Sequence, residues 1–185
     1  MQEQDAIRRL KNGDISGLEV LIANHQIKAL RTAYLIVQDE FLAEDIVQDT
    51  FLRIYHNIQR FDNNAPFEPY LLRSVVNAAL NTLQQRSKEM PLEVDSDLDH
   101  VTELVSQTTS VESQVEYADL KRQIACAIAA LSPRQRAVIV QRYYLGMNEK
   151  EMASALEISP GTIKWLLNAG RKRLRNLLSP QRSAK

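Results

Sequence analysis

The sequence predicts an all-α fold, with two small four-helix domains joined by an acidic linker, and three observations predict it. Apolar residues recur at helical spacing through residues 1–87 and again through 118–185, the two segments read as domains. Five glycines and six prolines in 185 residues leave few helix breakers. Between the domains, over 88–117, periodicity fails and acid accumulates. The formal net charge is zero for the whole chain, but it divides into −2 over 1–87, −7 over 88–117 and +9 over 118–185. A neutral chain with a basic C-terminal third points to one end that meets a polyanion.

Composition narrows the class. An apolar content of 44% with 25% charged residues is that of a folded globular chain. The single cysteine, Cys126, excludes an intrachain disulfide framework and points to a reducing, cytoplasmic compartment. Lying beside Ile124 and Ile128, it is expected as a small core residue. No apolar run approaches the roughly 20 residues that span a membrane, so no direct membrane insertion is expected. The polar start MQEQDAIRRLKNGD lacks the apolar centre of a signal peptide.

In chain order, residues 2–11 form a short first helix that Asn12-Gly13 ends. Asp14 or Ser16 caps a second, carrying Leu18, Leu21, Ile22, Leu30, Ala33, Tyr34 and Val37. The pattern breaks near Gln38-Asp39. A third helix sets Leu42, Ile46, Thr50, Ile54 and Ile58 along one face. On another face Asp45 and Asp49, four apart with Gln48 between, project together. That spacing alone fits a solvated stripe or an interface. Arg60 to Pro66 is a loop, and a fourth helix from about Phe67 carries Tyr70, Leu71, Val75, Ala78, Ala79 and Leu83. The acidic stretch follows, with a short ordered piece expected around Val101–Val105.

Periodicity returns with Leu120, Ile124, Ala127, Ile128 and Leu131. Ser132-Pro133 caps the next helix, whose Val138, Ile139, Tyr143 and Leu145 stop at Gly146. Asn148 with Glu151 forms a capping-box pattern ahead of Met152, Ala153 and Leu156. Ser159-Pro160 restarts a helix bearing Ile163, Leu166, Leu167, Gly170, Leu174 and Leu177. Only Glu157 and Ile158 separate the two, so they cross sharply, as in a helix-turn-helix whose second helix enters a DNA major groove. The basic run Arg171, Lys172, Arg173 and Arg175 sits where a phosphate backbone would pass, although a charge run also serves as a solvated face.

The segments AEDIVQDTFLRIYHNIQRFD and PFEPYLLRSVVNAALNTLQQR resemble region two of extracytoplasmic-function sigma factors. ALSPRQRAVIVQRYYLGMNEKEMASALEISPGTIKWLLNAGRKRLRNLL resembles their region four. The resemblance implies a factor that directs bacterial RNA polymerase core to promoters, melting the −10 element and contacting the −35 element. It implies core binding through Asp45, Gln48, Asp49 and Leu52, on a coiled coil of the largest polymerase subunit, with the polymerase flap as a second contact. For the −10 element it implies Asn63, Asn64, Phe67, Tyr70, Arg73 and Asn77. The family often has Trp where this chain has Tyr70, and more basic residues where it has Leu80, Gln84 and Gln85. Phe67 and Tyr70 are also readable as core.

For the −35 element the expected residues are Ser159, Thr162, Lys164, Trp165, Asn168, Arg171 and Arg175, with Trp165 alternatively packed at the domain edge. The family often has Arg at Leu166 and Ala169, so two surface contacts are expected to be lost. The linker would span about 30 Å at rest and roughly 95 Å stretched. In the family it threads a basic channel; a solvated tether is the plainer alternative. An anti-sigma factor is a further implied partner.

Two other classes compete. A stand-alone helix-turn-helix regulator would bind a palindrome without polymerase, but needs no loop of this kind followed by aromatics and Asn77. An enzyme has little support, for His25, His56 and His100 lie in no metal-ligand spacing and no glycine-rich phosphate loop occurs. No metal or cofactor is expected.

Overall fold

The computed structural model describes residues 3–89 and 111–179. Its elements are all helical among those residues: α1 (Glu3–Lys11), α2 (Ser16–Val37), α3 (Glu40–Asn57), α4 (Phe67–Glu89), α5 (Val111–Ala129), α6 (Pro133–Ile139), α7 (Glu149–Leu156) and α8 (Pro160–Leu178). They belong to two compact units, Met1–Glu89 and Met90–Lys185. The all-α expectation, four helices to a unit, is what is found. The expected ordered piece at Val101–Val105, and the linker from 90 to 110, lie outside the described residues.

In the N-terminal unit α2 is the central element, packed against α1, α3 and α4. Leu10, Leu21, Ile36, Phe67, Leu71, Val75 and Val76 are fully buried there. At α2's start the N-cap is Ile15, with no side-chain cap, and not Asp14 or Ser16 as expected. The Asp14 carboxylate accepts from the Ser16 amide at 3.0 Å, and hydrogen bonding to the Ser16 side chain, then to its amide, holds the Asp14 carboxyl below the usual carboxylate range. Gly17 is required by the α1 crossing, since a Cβ there would lie 2.2 Å from the Ala6 carbonyl oxygen. The break at Gln38-Asp39 is a double cap. Gln38 turns left-handed (φ 62°), its amide donating to the Tyr34 carbonyl and its side chain to that of Leu35. Asp39 then accepts from the Leu42 amide at 2.9 Å and starts α3.

In the C-terminal unit α8 packs against α5, α6 and α7. Leu131, Val138, Ile139, Met152, Ile163, Leu166 and Leu167 form one apolar cluster. Ser132 with Gln135, and Asn148 with Glu151, make complete capping boxes. Arg136 is buried, and its guanidinium donates to the carbonyls of Ala129 (2.8 Å) and Leu131 (3.1 Å), closing the C-terminal end of α5. Burial lowers its pKa to about 10.

Several expectations need correction. Helix α5 begins at Val111, so residues 111–117, given to the linker by their acidity, are helical. No glycine or proline interrupts 111–129, and acid at a helix N-terminus is favourable. Cys126 is exposed, not a core residue. Leu120 and Ile124 are exposed as well, although they share a helical stripe with the buried Ala127. Leu177 is likewise exposed, at the end of α8. After Ile139, α6 widens into a π-helical turn over Val140–Tyr144. The change of spacing puts Gln141 wholly inside and leaves Tyr143 exposed, where regular spacing expects Tyr143 in the core.

Candidate functional site

Three surfaces carry the expected site residues. On α3, Ile46, Val47, Thr50 and Phe51 face the core, so the residues between them must face out. Asp45, Gln48, Asp49 and Leu52 are all exposed, at the i, i+3, i+4 and i+7 positions of one stripe. Leu52 is 51% exposed. Gln48 and Leu52 also border an apolar groove between α2 and α3, lined by Leu18, Ile22, Leu30, Val47 and Phe51. Two carboxylates, an amide and an apolar side chain beside such a groove suit a basic, amphipathic helix.

The second surface is the loop between α3 and α4. Its turn is closed by Asp62, whose side chain accepts from the Asn64 amide at 2.9 Å and whose carbonyl accepts from the Ala65 amide at 3.0 Å. Asn63 and Asn64 are left exposed. Tyr70 is 36% exposed, with Arg73 and Asn77 half-buried along the same side of α4.

Phe67 departs from the expectation of a base-contacting aromatic, for it has no exposed surface at all. Its ring lies 5.5 Å from His25, 5.7 Å from Phe61 and 6.5 Å from Tyr70, centroid to centroid. It supports the surface from beneath. Phe61, 5.0 Å from Tyr70, belongs to the same cluster and was not singled out in the sequence, where it reads only as the start of a loop. The anchoring of this loop was also missed. Lys11 Nζ donates to the Phe61 carbonyl at 2.6 Å, and the side chain of Gln59 donates to the Lys11 carbonyl at 2.6 Å.

The third surface is the outer face of α8. Glu157 ends α7 in the left-handed conformation (φ 56°), and Ser159 accepts from the Thr162 amide at 3.1 Å to start α8. Ile163, Leu166, Leu167 and Gly170 turn inward. Thr162, Lys164, Trp165, Asn168, Arg171 and Arg175 are therefore exposed together. Trp165 is 66% exposed, so it does not pack at the domain edge. The hydroxyl of Thr162 lies 2.9 Å from that of Ser159, which ties both to the cap. Leu166 is a core residue, 5% exposed, so no surface contact is lost there; Ala169 is half-buried. No helix among the described residues is long and apolar enough to cross a membrane.

The comparisons agree with this division. Residues 21–89 match the family model of Sigma-70 region 2, and residues 121–174 match that of Sigma-70 region 4. The ECF RNA polymerase sigma factor SigW of Bacillus subtilis is 27% identical over 182 residues, covering 96% of this chain and 97% of SigW. Among solved structures, the sigma factor RpoE of Bartonella quintana, in complex with the anti-sigma factor NepR, superposes with a TM-score of 0.69. It is 21% identical and covers 89% of this chain and 98% of its own. CnrH, solved in complex with the cytosolic domain of CnrY, gives a TM-score of 0.61 at 21% identity, covering 95% and 96%. With region 2 matched on the unit that carries the α3 stripe and the loop, and region 4 on the unit that carries the helix-turn-helix, the chain belongs to the extracytoplasmic-function sigma factors of the Sigma-70 family.

Proposed function

We propose that the chain directs bacterial RNA polymerase core to its promoters by dividing three tasks among these surfaces. The stripe Asp45, Gln48, Asp49 and Leu52 docks on a basic coiled coil of the largest polymerase subunit. Asn63, Asn64, Tyr70, Arg73 and Asn77 receive an unstacked base of the −10 element. Extrusion of that base costs a few kcal/mol, which ring stacking on Tyr70 and edge hydrogen bonds to the amides offset. The exposed face of α8, with Lys164, Trp165 and Asn168 toward the bases and Arg171 and Arg175 toward phosphates, contacts the −35 element.

One observation carries this reading. The two matched regions lie in one chain, in order, with the expected residues at least partly exposed on each apart from Phe67. A factor of this kind works by binding and positioning, with no chemistry of its own, and its place of work is the cytoplasm. Residues 90–110 act as the tether that lets two weak grips reach separated elements. Run-off transcription with purified core polymerase on fragmented genomic DNA tests the proposal. Discrete transcripts that require this chain are expected. Sequence-specific binding to a palindrome in the absence of polymerase, with no transcripts, would favour the regulator instead.

A second partner is an anti-sigma factor. The two solved relatives lend it weight only as fold neighbours, since RpoE is held by NepR and CnrH by part of CnrY. Pull-down from the native host should recover such a protein besides polymerase; repeated recovery of polymerase alone would remove it.

A further inference from the structure

Beneath the −10 surface lies an ionic cluster that neither family region assigns. Glu68 is the second residue of α4; Lys28 of α2 grips its carboxylate, and His25 of α2 lies beside it. Lys28 donates from Nζ to Glu68 Oε1, and His25 Nδ1 lies 3.6 Å from Oε2. The other ring nitrogen of His25 is 2.7 Å from Glu3 Oε2 on α1. His25 is buried, at 8% exposure, and its ring rests against that of Phe67. One side chain of α2 thus touches α1 and both of the first two residues of α4.

From there the contacts run to the surface. Phe67 meets Phe61 and Tyr70, and Phe61 meets Tyr70, so the exposed tyrosine is the outermost of three rings whose innermost sits on His25. The Lys28 hydrogen bond is the largest cause of the lowered Glu68 pKa, which keeps the carboxylate ionised and held. The Lys28 and Glu68 side chains are nevertheless 40% and 38% exposed, and an ion pair so placed contributes little to folding. Orientation is what it can supply. A site that must capture a base as it leaves the stack works only if already ordered, and a misplacement of about 1 Å can cost up to 100-fold in rate.

We propose that His25, Lys28 and Glu68 are positioning residues for promoter opening: their grip on the first turn of α4 sets Tyr70 and the Asn63–Asn64 turn in the geometry that receives the unstacked base. This rests on the reading of Tyr70 and its neighbours as the base-receiving surface.

The test uses polymerase holoenzyme assembled with variant chains, on a duplex promoter and on the same promoter with the −10 segment already unpaired. Opening is followed by permanganate reactivity of the −10 thymines. Lys28→Met and His25→Leu should each slow opening of the duplex about tenfold. Initial duplex binding, and transcription from the pre-opened template, should stay within about twofold. The reversed pair, Lys28→Glu with Glu68→Lys, should recover most of the rate lost by Lys28→Glu alone. Unchanged opening, equal loss on both templates, or no recovery by the reversed pair would overturn the proposal. A Tyr70→Ala control separates the two levels. Normal opening by Tyr70→Ala overturns the base-receiving reading itself, whereas slow opening by Tyr70→Ala beside normal opening by Lys28→Met overturns only the grip.

Discussion

The two units build their proposed recognition surfaces in opposite ways. In the N-terminal unit the exposed groups are the outer ends of buried structure. Tyr70 is the tip of an aromatic cluster, Phe67 lies fully inside beneath it, and Lys11 and Gln59 tie the loop back to α1. In the C-terminal unit the side chains proposed to contact DNA stand on one face of one helix, while its other face supplies the core through Ile163, Leu166 and Leu167. Melting demands a preformed pocket, whereas groove reading demands side chains that project freely. Folding and function are therefore coupled in the first unit and separable in the second.

Truncating the aromatic at the heart of each surface should show that contrast most strongly. Phe67→Ala removes a wholly buried ring and should destabilise the N-terminal unit by about 3–5 kcal/mol, lowering its unfolding midpoint and abolishing promoter opening with it. Trp165→Ala should change the stability of the C-terminal unit by no more than about 0.5 kcal/mol while weakening −35 binding. A large loss of stability from Trp165→Ala, measured by chemical denaturation followed by circular dichroism, would erase the distinction.

The α3 stripe is the exception in the N-terminal unit, since its side chains are exposed and its core contacts are made by other residues. Asp45→Arg with Gln48→Ala should leave folding intact and cost at least about 2 kcal/mol of polymerase affinity, roughly thirtyfold. Unchanged co-purification with core polymerase would remove that surface from the assignment.

How far the sequence told this story depends on whether a feature is local. Helix ends were legible because caps are written within four residues. Asn148 with Glu151, Ser132 before Pro133, and Ser159 before Pro160 all cap as expected. The exposed face of α8 followed from the spacing of its apolar residues. Depth was not legible. Periodicity cannot tell the half-exposed ring of Tyr70 from the buried ring of Phe67 three positions earlier, because the difference lies in contacts from elsewhere, such as His25 on Phe67. Nor does spacing announce the π-helical turn that moved Tyr143 out and Gln141 in. The grip of Lys28 on Glu68, with His25 beside it, joins residues about forty apart, and no local pattern marks it.

A smaller effect should come from the basic end of α8. Arg171 and Arg175 are exposed, and each phosphate contact contributes about 0.9 to the slope of log affinity against log salt. Arg171→Ala and Arg175→Ala should each reduce that slope by about 0.9 in holoenzyme titrations on duplex promoter, without altering sequence preference. The C-terminal unit alone should bind DNA weakly at physiological salt. A tight, specific complex of that unit would mean that it reads the promoter without help from the other grip.

The smallest expected effect is on acid stability, and it belongs to the N-terminal unit. Glu68 is held below the usual glutamate range, chiefly by the Lys28 hydrogen bond, and Asp14 below the aspartate range, chiefly by hydrogen bonding to Ser16. A carboxyl whose pKa is lower folded than unfolded binds fewer protons in the native state at intermediate pH. Its contribution is therefore complete above the unfolded pKa and is lost as pH falls through the folded one. Acidification from neutrality should leave the N-terminal unit unchanged until the usual carboxylate range is reached, then loosen it progressively, with α4's first turn among the parts affected. Glu68→Gln should flatten part of that acid slope. The chain's one tryptophan, Trp165, lies in the other unit, so its fluorescence follows that unit, while amide signals of α2 and α4 follow this one. A Glu68→Gln chain with an unaltered acid profile at α2 and α4 would show that the grip on Glu68 adds nothing to stability, leaving orientation of Tyr70 as its only use.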